Sequence, residues 1–186
     1  MFKQLAVAAA ASLSLASAFA GNGFVNGVAT ADGSVATPYQ LGTLGAAPTV
    51  LVTTLFGNPG ASFEEYANFS IAANSQVGGS ANTYTLNFFG MNLVEIDNLR
   101  IDVWDNSHPA GNTLFASFSG NNATNTFTLG AGNYHLDISG NFGATAHSGQ
   151  YSVAMNAMPV PEPETYALML AGLMAVGFMA RRRRPE

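Results

Sequence analysis

The chain of 186 residues contains no cysteine. That one absence excludes a disulfide scaffold, thiolate metal ligands and a cysteine nucleophile, and leaves packing to hold the core. Charge is also scarce, at 9% of residues against about 25% in an average soluble protein. Charge-driven disorder is excluded, because 48% of the residues are hydrophobic. Cations are almost missing from the middle of the chain. Residues 21–158 hold one, Arg100, against eight acids, a net charge of −7. A phosphate backbone requires a basic face, so nucleic acid is not an expected partner.

The other cations stand at the two ends. Met1-Phe-Lys3-Gln opens a run of small and apolar residues from Leu5 to Leu15, closed by Ala18-Phe-Ala20. A charged start, a hydrophobic centre and an Ala-x-Ala site describe a secretory signal peptide over residues 1–20, with Ala18 and Ala20 marking cleavage and Gly21 as the mature start. A helix belonging to the domain itself is the competing reading, but the alanines and serines between Ala8 and Ala18 give it little bulk to bury.

Near the other end, Val160-Pro161-Glu162-Pro163 precedes an apolar run from Tyr166 to Ala180, followed at once by Arg181, Arg182, Arg183 and Arg184. From Thr165 the uncharged run is 16 residues, or about 24 Å of helix, short of a hydrocarbon core of about 30 Å. A helix over 165–180 is expected to cross a bilayer only where the bilayer thins or the flanks snorkel. The arginines would stay on the cytoplasmic side as an anchor. A core helix is the alternative, and a four-arginine cap has no use there. The chain therefore divides into residues 1–20, an exported passenger over 21–158 and a tail over 159–186.

This tripartite tail resembles the PEP-CTERM sorting signal of exported bacterial proteins: a Val-Pro-Glu-Pro motif, a short transmembrane helix and a terminal arginine cluster. The resemblance implies recognition by an exosortase, a membrane-embedded protease-transpeptidase, and delivery to the surface or surrounding matrix of Gram-negative bacteria that make exopolysaccharide and form biofilms.

Within the passenger the periodicity is two. Phe63, Glu65, Ala67, Phe69 and Ile71 share one strand face, as do Tyr84, Leu86 and Phe88. Leu99, Ile101 and Val103 oppose Arg100 and Asp102, Tyr134, Leu136 and Ile138 oppose His135 and Asp137, and Tyr151, Val153 and Met155 oppose Ser152 and Asn156. Breaks are expected at Gly78-Gly79, Ser107-His108-Pro109, Gly120-Asn121-Asn122, Gly130-Ala131-Gly132 and Gly140-Asn141. Residues 21–49 read as a loose arm with one or two edge strands. The expectation is all-β: an antiparallel, jelly-roll-like sandwich of about seven to nine strands, flanked by the signal helix and a C-terminal transmembrane helix.

Part of the passenger also resembles the FxDxF family of PEP-CTERM passengers. Leu129-Gly-Ala-Gly-Asn-Tyr134-His-Leu-Asp-Ile-Ser-Gly140 followed by Gly149-Gln-Tyr151 carries the stronger half. At the place of the naming motif stands Phe63-Glu64-Glu65-Tyr66-Ala67, with Glu65 for the aspartate and Ala67 for the second aromatic. The resemblance implies a sandwich and a localisation, and it assigns no biochemical activity.

Catalytic chemistry finds little support in the residues. His147-Ser148 with Asp137 is the only serine-histidine-acid grouping close in sequence, and it has no nucleophile elbow. His108, His135 and His147 are not at ligand spacing, so no metal site is expected from them. Glu95, Asp97, Asp102 and Asp105, with Asn98 and Asn106, raise a calcium site, but their parities differ along a strand and no calcium loop is present. Glu64 and Glu65 point to opposite faces, which undermines a glycosidase pair. Trp104, the single tryptophan, falls on the outward face with Arg100 and Asp102, where it is a candidate glycan contact. No catalytic residue, cofactor or metal is expected. The expected function is an exported surface or matrix protein, structural or adhesive among extracellular polysaccharide, with a lectin-like module using Trp104 as the alternative.

Overall fold

The computed structural model describes residues 22–29, 31–106, 113–120, 123–161 and 163–182. The signal peptide with Ala18 and Ala20, the Ser107–Pro109 turn, Asn121–Asn122, Glu162, Arg183 and Arg184 lie outside the described residues.

Among the described residues thirteen strands and one helix follow one another: β1 Asn22–Val25, β2 Val28–Ala29, β3 Tyr39–Thr43, β4 Thr49–Phe56, β5 Ser62–Ile71, β6 Ser75–Tyr84, β7 Leu86–Phe88, β8 Met91–Val94, β9 Ile96–Asp105, β10 Leu114–Ser119, β11 Asn125–Leu129, β12 Gly132–Phe142, β13 Ser148–Pro159 and α1 Pro163–Arg182. They make two sheets. Sheet A runs β11-β6-β13-β4-β1-β2, with the β7–β8 hairpin attached to β13, and sheet B runs β10-β9-β12-β5-β3. Pairing is antiparallel except β3 with β5 and the single β8–β13 contact.

Eight strands carry the winding. β9 pairs with β10, β6 with β11, β5 with β12 and β4 with β13, so the first half of the chain runs back along the second as a doubled ribbon wrapped over two sheets. That is the strand order of a jelly roll. The count exceeds nine because the N-terminal arm supplies three strands and residues 86–94 add a hairpin. The arm is also less loose than expected, since Tyr39, Leu41 and Leu44 are buried in the core.

The alternation holds where a residue faces the other sheet. Phe63, Glu65, Ala67, Phe69 and Ile71, then Leu99, Ile101 and Val103, then Tyr134, Leu136 and Ile138, then Tyr151, Val153 and Met155, are all buried. Three expectations are corrected. Gly78-Gly79 is no turn but the middle of β6; a Cβ on Gly79 would lie 3.0 Å from the Phe118 ring, so glycine is there for the close approach of sheet B. Gly140-Asn141 does not break β12; it lies opposite a bulge in β9, where Asn98 has φ of 55°. Tyr84, Leu86 and Phe88 do not share a core strand: β6 ends at Tyr84, and all three are exposed.

The expected transmembrane helix is also corrected. α1 forms over 20 residues, but among the described residues no helix is long and apolar enough to cross a membrane. Glu164 and Arg181 bound its uncharged stretch at 16 residues, which is the physical reason.

Candidate functional site

Charge is partitioned between the sheets. No strand of sheet A carries an acidic or basic residue, whereas β5, β9 and β12 of sheet B carry Glu64, Glu65, Asp97, Arg100, Asp102, Asp105 and Asp137. The outer face of sheet A instead presents amides and hydroxyls, among them Gln76, Asn82, Gln150 and Thr54. At its β1–β4 edge, Asn22, Phe24, Thr54 and Phe56 line a shallow groove of about 340 Å³.

On sheet B, Trp104 stands on the outer face with Arg100 and Asp102, as the alternation implies. It is opposite His135 on β12 and Leu114 on β10. It is only partly exposed, and its indole Nε1 is buried with no partner among the described residues. Arg100 Nε lies 2.9 Å from both Asp102 oxygens. His135, 4% exposed, is covered by the chain after β9: its Nδ1 lies 2.7 Å from the Asn106 carbonyl oxygen, and its Nε2 lies 3.4 Å from Asp137 Oδ1.

Asp137 is therefore engaged with His135, not with His147. Ser148 begins a strand of the other sheet, and its hydroxyl donates to the Leu93 carbonyl at 2.9 Å; His147 is exposed and offers its carbonyl to the Gly57 N–H. The acids weighed for calcium are dispersed. Glu95 accepts from Asn92 at 2.6 Å, Asp105 accepts from the Thr113 N–H at 2.9 Å, and Asp102 takes Arg100. Among the described residues no three His, Asp or Glu converge on a point that would hold a metal.

One arrangement escaped the sequence reading. Glu65, 2% exposed, sits between the sheets and accepts hydrogen bonds from Tyr39 at 2.6 Å through Oε1 and from Tyr151 through Oε2. Burial pushes its carboxyl up to about 7, and the Tyr151 and Tyr39 hydroxyls pull against that rise. Burial and the nearby carboxylate hold both tyrosines protonated. The Phe63 ring stacks on Tyr151 at 6.1 Å. Phe63, Glu65 and Tyr151 are the residues that carry the two halves of the FxDxF resemblance, and they meet in one core cluster. Tyr134, from the other Gly-x-Tyr strand, donates to the Gly130 carbonyl at 3.1 Å and ties down the β11–β12 turn. The signal that marks Glu65 in the sequence is an acid at an inward parity between Phe63 and Ala67.

The tail leaves the sandwich abruptly. β13 stays paired with β6 as far as Pro159 opposite Ser75, and the Val160 N–H donates to the Asn74 carbonyl at 2.9 Å. Pro161 has no N–H with which to continue the ladder. Val160 and Pro161 are exposed, and α1 starts two residues later with Tyr166, Leu168, Met169, Leu173 and Phe178 open to solvent.

A model of the PEP-CTERM protein-sorting motif matches residues 159–184. This chain is a PEP-CTERM sorting-signal protein. The PEP-CTERM motif thus begins on the last residue of β13 and takes in the whole of α1, and it implies export, a membrane-anchored precursor and processing by an exosortase. No curated protein matches the chain. Among solved structures it is similar to the pre-peptidase C-terminal domain of collagenase from Bacillus anthracis, at 15% identity and TM-score 0.38 over 63% of this chain and 93% of that one. It is also similar to PliG of Aeromonas hydrophila, a periplasmic inhibitor of g-type lysozyme, at 12% identity and TM-score 0.37 over 64% and 96%. At these scores neither likeness carries an argument about function.

Proposed function

We propose that the PEP-CTERM chain is a non-enzymatic surface or matrix protein: the tail holds the precursor at a membrane that thins around the short α1, exosortase processes the tail near Val160 to Pro163, and the sandwich serves as a structural or adhesive component among extracellular polysaccharide in a biofilm. Within that class it is a passenger of the FxDxF group. The observation that supports the reading is the position of the motif, whose first two residues, Pro159 and Val160, make the last pair and the last hydrogen bond of β13 with the sandwich, so cleavage beyond Pro161 takes nothing from the fold. A sheet face free of charge and lined with amides and hydroxyls suits contact with a polysaccharide. The test is mass spectrometry of both termini of the protein from membrane and extracellular fractions. An extracellular form beginning at Gly21 and ending between Pro161 and Pro163 is expected; a form that keeps Arg181 to Arg184 in the membrane would overturn exosortase processing.

The second reading, a lectin-like module, draws on the outward placement of Trp104 beside His135. It predicts retention on a polysaccharide column that Trp104→Ala abolishes, and retention unchanged by that substitution rejects it.

A further inference from the structure

The β7–β8 hairpin exposes a continuous apolar surface that the core does not use. Leu86, Phe88, Phe89, Met91 and Leu93 are all more than 40% exposed, and Phe89 reaches 89%. Phe88 stands opposite Met91 across the two-residue loop Phe89-Gly90. Both loop residues have positive φ, 48° and 80°, the requirement of the tight turn that suits a twisted hairpin. Glycine or asparagine meets that requirement at little cost; phenylalanine does not. The tip is nonetheless built to hold its shape. Asn87 Nδ2 donates to Asn92 Oδ1 at 2.8 Å, the Gly90 N–H donates to Asn87 Oδ1 at 3.2 Å, and the Phe88 and Phe89 rings meet edge to face at 4.4 Å. A strained, fully exposed aromatic on a braced tip is the pattern of a side chain placed for contact.

We propose that this hairpin is a membrane-insertion tip whose partner is a bilayer with uncharged, zwitterionic headgroups. Three observations select that occupant. The apolar side chains lie on a hairpin of three and four residues closed by a two-residue loop, a projection that suits entry into a soft medium better than reception of a peptide. No charged residue occurs from Tyr84 to Val94, while the passenger carries −7, which disfavours an anionic surface. The hairpin also lies far from the sorting tail. β8 pairs with Ser148 at the start of β13 and runs parallel to it, so the tip projects off the end of the sandwich away from Pro159. At about 3.3 Å per residue, the strand from Ser148 to Pro159 separates the two by about 36 Å. A tail held in one membrane leaves the tip free to engage another, and a chain that has lost its tail keeps a lipid-binding element of its own.

The test uses the full chain carrying Trp104→Phe and Phe89→Trp, so that the only indole reports from the tip. The chain is placed through its tail in phosphatidylcholine vesicles and mixed with a second population whose acyl chains are brominated. Blue-shifted emission that the brominated lipid quenches, with Trp104 of the unaltered chain unquenched, is the expected result. Emission that stays at its aqueous wavelength, or equal quenching of Trp104, overturns the proposal. The unaltered chain should also cluster the two vesicle populations. Phe89→Gly, which removes the ring and relieves the positive φ, should abolish clustering with the thermal midpoint unchanged or raised. Clustering that survives Phe89→Gly, self-association through the tip without lipid, or binding to anionic vesicles alone would each reject a neutral bilayer as the partner.

Discussion

Glu65 on β5 and Tyr151 on β13 are hydrogen-bonded across the interior, so a single carboxylate joins sheet B to sheet A. Tyr39 on β3 completes the bond set on the other oxygen. The folded chain holds the Glu65 proton with a pKa of about 7, against 4.5 for the free side chain. Between those values the native state binds more protons than the unfolded state, so stability falls as pH rises through this window, by about 3 kcal/mol, and the contribution of Glu65 is level on either side. Asp32, whose pKa is lowered chiefly by the Thr37 hydroxyl, gives the opposite slope only at lower pH. Urea unfolding at pH 5 and pH 8 should show this loss, and Glu65→Gln should remove it. Identical slopes in the two proteins would mean that Glu65 does not titrate in the fold.

Tyr151→Phe keeps the ring that stacks on Phe63 and removes one of the two donors to Glu65. The variant should lose about 1–3 kcal/mol where the carboxylate is ionised, at pH 8. The loss should shrink at pH 5, where the protonated carboxyl needs fewer donors. A loss of equal size at both values would assign the effect to packing.

How much of this was legible in the sequence depends on which way each residue faces. The inward rows on β5, β9, β12 and β13 could be read by parity, because one side of each strand meets the core and the other meets water. Gly78-Gly79 misled because the same residue type serves turns and close approaches, and only the position of Phe118 on the opposite sheet distinguishes them. Phe88 misled in the reverse sense: an alternating apolar pattern reads as core, yet β6 ends at Tyr84 and Phe88 belongs to the exposed β7–β8 hairpin. The partnership of Glu65 with Tyr39 and Tyr151 links residues 26 and 86 positions apart, a separation at which periodicity holds no information. The sorting motif over 159–184 was readable, since its parts are contiguous and its signal is local; the expected spanning helix did not follow with it, because its uncharged stretch is only 16 residues.

The N-terminal arm is locked over Tyr39 by Gly23 and Gly33, which have no room for a side chain. A Cβ on Gly33 would lie 2.4 Å from the Tyr39 ring and 2.9 Å from Glu65 Oε1, at a φ of 74°. Gly42 has nearly the same φ, 73°, with open space around it. Gly42→Ala should therefore cost about 1 kcal/mol, from backbone conformation alone. Gly33→Ala should cost about 1–3 kcal/mol more, because the ring must also move. Chemical denaturation of the two variants separates the terms, and equal costs would show that the arm yields freely.

Processing at the PEP-CTERM motif should be neutral for the fold only on one side of Val160. A chain ended after Pro161 retains every β13 pair and the Val160 to Asn74 bond, so its sandwich should melt at the temperature of the full chain and need no detergent to stay in solution. A chain ended after Met155 loses the pairing of Asn156 to Pro159 with Ser75 to Gly78 and the bond from the Ala157 N–H to the Gly45 carbonyl. Ala157 is buried, so its removal also opens the core edge. The shorter chain should lose about 2 kcal/mol or more, seen as a lower thermal midpoint by circular dichroism. If the chain ended after Pro161 were destabilised as well, α1 would be part of the folded domain and not an appendage that an exosortase can remove.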